Sequence, residues 1–207
     1  MAYNKFTLSK AEKQFQLRID ETQDLFSTVA AEVEISDFIR TYLNKYVPLA
    51  LAINTEKARS EMIITPILLE FRNRAEPPIS LFSGRAFNVD KEKGLTGTCD
   101  FIISRSPEQL FIKVPVSTIV EAKNDNINRG LWQCVAEMVA AKLFTEREGN
   151  DITTTYGADT TGSLWRFLKL ENQTVYVDLE EYYLVNVGKI VGILLSMIQR
   201  GGMEDAL

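Results

Sequence analysis

The sequence predicts an α/β (α+β) domain built around one mixed central sheet flanked by helices, and three observations lead there. Apolar residues recur at three- and four-residue spacing in several long segments, which is the period of a helix with one buried face. Short alternating or continuous apolar runs, bounded by Gly, Pro, Asn and Asp, read as strands. The two patterns interleave as helix, three strands, helix, further strands and a last helix, an order that calls for helices packed on a sheet.

Residues 1–35 read as an accessory segment, with Ser9 as N-cap of a short helix and a brief apolar stretch over 15–19. Ser36 then precedes a helix in which Phe38, Ile39, Tyr42, Leu43 and Tyr46 share a stripe, and Pro48 is expected to end or kink it. Thr55 is placed to accept amide hydrogen bonds from the first turn of a second helix running to Arg74. Pro66 predicts a kink within that helix, and Pro77-Pro78 its end. Strands are expected over 79–89, 97–104 and 118–122. Asn128 is expected to cap a helix over 129–146, whose Leu131, Val135, Met138, Val139 and Leu143 form a broad stripe for the sheet. Strand chemistry returns in 152–157, 164–170 and 174–179, joined by turns at Thr161-Gly162 and Glu171-Asn172. A helix over 185–199 closes the chain, with residues 201–207 expected to fray.

A chain of 207 residues, 45% hydrophobic and 25% charged, is long enough to bury one proper core. One domain over 1–207 is therefore expected: an accessory helical segment (1–54), a core (55–179), and a C-terminal helix and tail (180–207). No window of eighteen apolar residues and no apolar signal core in the first ten residues are present, so a cytoplasmic protein with no membrane span is expected. The chain has no histidine, which removes Ser-His-Asp triads, Cys-His pairs and His-ligated zinc. Chemistry is left to carboxylates, lysine, tyrosine or a hard metal. Cys99 and Cys134 lie in apolar stretches and read as small hydrophobes. The formal charge of 23 minus 28, or −5, argues against indiscriminate nucleic-acid binding, although net charge does not tell how Lys and Arg are shared between faces.

One constellation stands out. Asp100 leads directly into the apolar strand Phe101-Ile102-Ile103, where an unpaired charge is costly. About twenty residues on, Ile119-Val120-Glu121-Ala122-Lys123 ends a strand with an acid and a base two positions apart, hence on one face. If the two strands are neighbours, Asp100 and Glu121 come close enough to share a divalent cation with Lys123 beside it. Oxygen ligands select Mg²⁺, with Mn²⁺ able to substitute.

Asp100, the spacer and Glu121-Ala122-Lys123 resemble the acid, gap and E-x-K of the PD-(D/E)XK nuclease superfamily, whose restriction-endonuclease-like core is a helix, three strands, a helix and another strand. The segment from Thr55 to Pro66 resembles the first helix of nuclease domains in restriction-enzyme subunits, where a glutamate faces the metal; that points to Glu61, with Glu56 as its rival. Gln133 is similar to a glutamine that many members set beside the site. Cys99 stands where the family name has proline. The resemblance spans roughly residues 55–179 and implies hydrolysis of nucleic-acid phosphodiesters, DNA favoured. Asp100 and Glu121 would hold Mg²⁺, Glu61 a second metal or its waters, Lys123 would serve the attacking water and the phosphorus, and Gln133 would position Lys123 or a phosphate. Arg59, Arg85, Lys123 and Arg129 are then expected around the carboxylates.

Other readings stand beside it. Glu121 and Lys123 alone make a solvated strand-end ion pair worth at most about 1 kcal/mol. Glu61 and Gln133 also suit ordinary helix surface, and Trp132, Trp165, Tyr176, Tyr182 and Tyr183 suit the core better than a base-stacking platform. A non-catalytic member of the same fold, binding nucleic acid or protein, is the alternative. A third reading is an interaction protein whose N-terminal helices form an oligomer, for instance a homodimer.

Overall fold

The structure, a computed structural model, describes residues 2–28, 30–124, 127–150 and 153–203. Among these, eight strands form one mixed sheet with helices on both faces. In chain order the elements are α1 (Leu8–Phe15), β1 (Arg18–Asp20), α2 (Asp37–Ile53), α3 (Glu56–Arg59), a π-helical turn (Ser60–Ile64), α4 (Thr65–Arg74), β2 (Ser80–Ala86), β3 (Thr98–Ser104) and β4 (Val116–Ala122). Next come α5 (Ile127–Arg147), β5 (Thr154–Thr160), β6 (Leu164–Glu171), β7 (Thr174–Val177), β8 (Tyr182–Tyr183) and α6 (Val187–Met203).

The sheet runs β1-β7-β6-β5-β4-β3-β2, with β8 added on β6. β2, β3 and β4 are antiparallel neighbours, whereas β4 and β5 are parallel and joined through α5. Parallel neighbours need such a crossover. Every residue of β4 and of β5 is buried as a consequence, because helices cover both faces there. Val120, Ala122, Tyr156 and Ala158 pack in the cluster with α4 and α6, and Ile119 packs in the cluster with α5. Glu121 and Asp159 therefore project toward α5.

Two of the four capping expectations correspond to hydrogen bonds. Ser36 Oγ accepts from the Ile39 amide at 3.4 Å, and Thr55 Oγ1 from the Ala58 amide at 3.1 Å. Around Pro66 the chain forms the π turn: the Thr65 amide reaches back five residues to the Ser60 carbonyl, opening the ladder before a ring that lacks an N–H. Pro48, by contrast, does not end its helix. α2 continues to Ile53, its last turn held by the fully buried Ala50, and stops at Asn54 in the left-handed conformation (φ 53°). Ser9 is not an N-cap either. Thr7 takes that place, with Phe6 and Ala11 buried in one cluster at the positions of a hydrophobic staple, so the helix starts earlier than the polar residue suggests. Asn128, the expected cap of α5, is instead its second residue, because the helix already starts at Ile127, and residues 204–207 of the tail lie outside the described residues.

The N-terminal segment is built into the sheet. β1 pairs in parallel with β7 along Arg18–Thr174 to Asp20–Tyr176, and the buried Tyr3 hydroxyl donates to the Phe87 carbonyl at 2.6 Å.

Candidate metal centre

β3 and β4 place Phe101 opposite Val120, so one step along the antiparallel ladder sets Asp100 beside Glu121. β4 and β5 place Glu121 beside Asp159, and β5 and β6 place Asp159 opposite Arg166. Asp100, Glu121 and Asp159 thus form a row of three acids across three adjacent strands. Like charges side by side on a sheet repel, and in a buried row the repulsion is poorly screened.

Asp100 Oδ2 accepts from the Ala122 amide at 2.8 Å, which fixes its carboxylate against the end of β4. Lys123 Nζ donates to Glu121 Oε1 and lies 3.9 Å from Glu56 Oε2 of α3. The structure thus brings Asp100, Glu121 and Lys123 to one place. Burial works against the lysine's charge, yet Glu121 beside it, with Glu56 and Asp100, holds Lys123 above the ordinary lysine value.

Glu61 does not join them. Its carboxylate pairs with Lys57 at 2.8 Å and is more than half exposed, one turn along on the wet side of the helix. The glutamate at the site is Glu56. Gln133 points to the cluster indirectly: its Nε2 donates to Glu137 Oε1 at 3.2 Å, and it orients that acid rather than Lys123. Of the expected cations whose side chains are described, only Lys123 sits among the carboxylates. Arg59 is bound to Asn54 Oδ1, the Thr161 carbonyl and Ser163 Oγ, and Arg85 lies on the exposed half of β2, opposite Cys99. The Arg129 side chain is outside the described residues. Arg166, which pairs with Glu181, is the cation that the sheet brings next to Asp159.

Asp159 and Glu137 carry no role in the sequence reading. Both are fully buried. The signal for Asp159 was faint, since it lies in the threonine-rich segment Thr154-Thr155-Tyr156-Gly157-Ala158-Asp159-Thr160, beyond the strand expected over 152–157. Glu137 interrupts the apolar stripe of α5 between Val135 and Met138. Burial, the largest cause in each case, pushes Asp159 and Glu137 up to about 8, moves Glu121 well above the carboxylate range and raises Asp100. Neither oxygen of Asp159 makes a hydrogen bond of ordinary geometry, nor do Glu121 Oε2 and Glu137 Oε2.

Among the described residues no three acidic or thiol side chains already converge on one point as cation ligands do. The chemistry of the set nevertheless fits a hard divalent cation, because the donors are all oxygens and several are buried without partners. A Mg²⁺ ion keeps most of its waters and needs only one or two carboxylates from the protein. No helix among the described residues is long and apolar enough to cross a membrane. No family model matches the chain, and neither the curated proteins nor the solved structures offer a match.

Proposed function

We propose that the chain is a divalent-metal-dependent nuclease of the PD-(D/E)XK kind, hydrolysing phosphodiesters of nucleic acid, with DNA as the favoured substrate. The observation that carries this reading is the Asp100–Glu121 adjacency on β3 and β4 with the Lys123 ammonium on Glu121 Oε1. The element order α4, β2, β3, β4, α5, β5 supports it, since it is the order that the resemblance implies.

Asp100 and Glu121 would hold Mg²⁺ or Mn²⁺, which when bound supplies Lewis-acid polarisation of a phosphate oxygen and of water. The chain's own residues account for the rest. Asp100 is oriented by the Ala122 amide and cannot swing away without losing that bond. Lys123 is aimed by Glu121 and Glu56, so its ammonium stays at the carboxylates, where it can neutralise charge developing on phosphorus and orient an attacking water. Such a preorganised charge is worth more in this dry setting than in water. A cytoplasmic location goes with this reading, as both cysteines are buried free thiols.

A cleavage assay on single-stranded DNA, double-stranded DNA and RNA, each with Mg²⁺, Mn²⁺ or EDTA, tests it. Cleavage in either metal, absent in EDTA and in Asp100→Ala, is the expected result. Binding without cleavage under every condition would make the chain a non-catalytic member of the fold.

A further inference from the structure

We propose that Asp159 is a cation-holding residue, forming with Glu121 a divalent-cation position between β4 and β5. The proposal rests on the nuclease reading for the class of ion, Mg²⁺ or Mn²⁺, and adds a ligand that no motif assigns.

Three features of the structure support it. Glu121 and Asp159 are register partners on parallel strands, so their backbones are separated by about 4.8 Å, the strand spacing, and their side chains leave the sheet on the same face. Both are fully buried. Second, unclaimed oxygens are concentrated here. Six buried side-chain atoms among the described residues lack a hydrogen-bond partner, and four of them are Asp159 Oδ1 and Oδ2, Glu121 Oε2 and Glu137 Oε2. Buried polar atoms are almost always paired, so four acceptors gathered on β4, β5 and α5 call for a shared donor or cation.

Third, the two cations near Asp159, Lys123 and Arg166, favour its charged form against burial, yet each is also paired with another acid. Lys123 pairs with Glu121 Oε1 and Glu56, and Arg166 with Glu181. Asp159 is also held in place by packing. A Cβ at Gly130 of α5 would lie 2.2 Å from Asp159 Oδ1, so the helix backbone closes over this carboxylate at the one residue type that leaves room for it. An acid held between a strand and a helix, beside a second acid with a free oxygen, has the composition of a hard-cation site.

The test measures Mn²⁺ binding by the electron paramagnetic resonance of free Mn²⁺, together with the Mn²⁺-induced rise in melting temperature, in the wild type, Asp159→Asn, Asp159→Ser and Asp100→Asn. Asp159→Asn is isosteric and fits beneath Gly130; Asp159→Ser is a smaller second variant in case the amide disturbs folding. Wild-type protein is expected to bind Mn²⁺, and each folded Asp159 variant to bind it at least tenfold more weakly with a smaller thermal shift. Wild-type affinity in either folded Asp159 variant overturns the proposal, and if Asp100→Asn has then lost binding, the nuclease reading survives. A wild type that binds no Mn²⁺ by either readout overturns both.

Discussion

Glu121 and Asp159 are paired neighbours on two parallel strands, both acids and both fully buried. Nothing in folding alone favours that arrangement, since each carboxylate loses water and raises the cost of charging the other. A site of this kind is expected to cost stability. In chelator at pH 9, above the value of about 8 to which burial pushes Asp159, Asp159→Asn is expected to stabilise the protein by on the order of 1 kcal/mol, because an amide costs less to bury than a charge. Urea unfolding of both proteins in EDTA gives the answer. A variant less stable than wild type would mean that Asp159 has a structural partner after all.

The division of labour between Asp100 and Lys123 predicts two different defects. Asp100→Ala removes a cation-holding carboxylate and should abolish both cation binding and cleavage. Lys123→Ala should still bind the cation, and more tightly, because a positive charge has left the carboxylates, while single-turnover cleavage falls on the order of a hundredfold. Calorimetry beside single-turnover kinetics separates the two. Wild-type-like cleavage by purified Asp100→Ala would assign the activity to another site or to a contaminant.

The features legible in the sequence were mostly local. The caps at Ser36 and Thr55, the helix limit at Arg74, and the strands that carry Asp100 and Glu121 are set by neighbours in the chain, and the structure has them there. The parallel pairing of β1 with β7 joins residues more than 150 positions apart and leaves no mark on either segment. Asp159 entered the site only through the register of β5 on β4, and Glu137 through the face that α5 turns to the sheet. The choice between Glu56 and Glu61 depended on which face of the helix meets the sheet: five residues apart, they point about 140° away from each other, and only the tertiary packing turns Glu56 toward Lys123 and leaves Glu61 paired with Lys57.

Gly130 offers a packing test of the same region. An added Cβ there would stand 2.2 Å from Asp159 Oδ1 and 2.8 Å from Lys123 Cγ, so α5 must lift or both side chains must move. Gly130→Ala is expected to lose roughly 1–3 kcal/mol of stability despite alanine's better helix propensity, and to weaken cleavage along with it. A variant as stable as wild type would mean that α5 does not approach the strands this closely.

The last prediction concerns Glu70, on the opposite face of the sheet. Its Oε1 accepts from the Ser36 amide and from Arg74 Nε, each at 2.8 Å, and its Oε2 accepts from Ser36 Oγ at 2.8 Å. The same Ser36 hydroxyl caps α2, so one carboxylate on α4 fixes where α2 begins. Burial pushes Glu70 upward, but the Ser36 amide, Arg74 and the Ser36 hydroxyl together outweigh it and hold the group below its ordinary value of 4.5. The unfolded chain then binds the proton more readily than the folded one, so stability rises with pH through this range: the contribution is complete above about 4.5 and is lost as pH falls through the folded value. Glu70→Gln is therefore expected to cost roughly 1–2 kcal/mol at pH 7, the scale of hydrogen bonds to a charged group. That cost should be smaller at about pH 4, below the ordinary value of 4.5, than at pH 7, and should go on shrinking as pH falls through the folded value. Urea midpoints of wild type and Glu70→Gln at the two pH values decide it, and a gap that stays constant would show that Glu70 works by shape and not by charge.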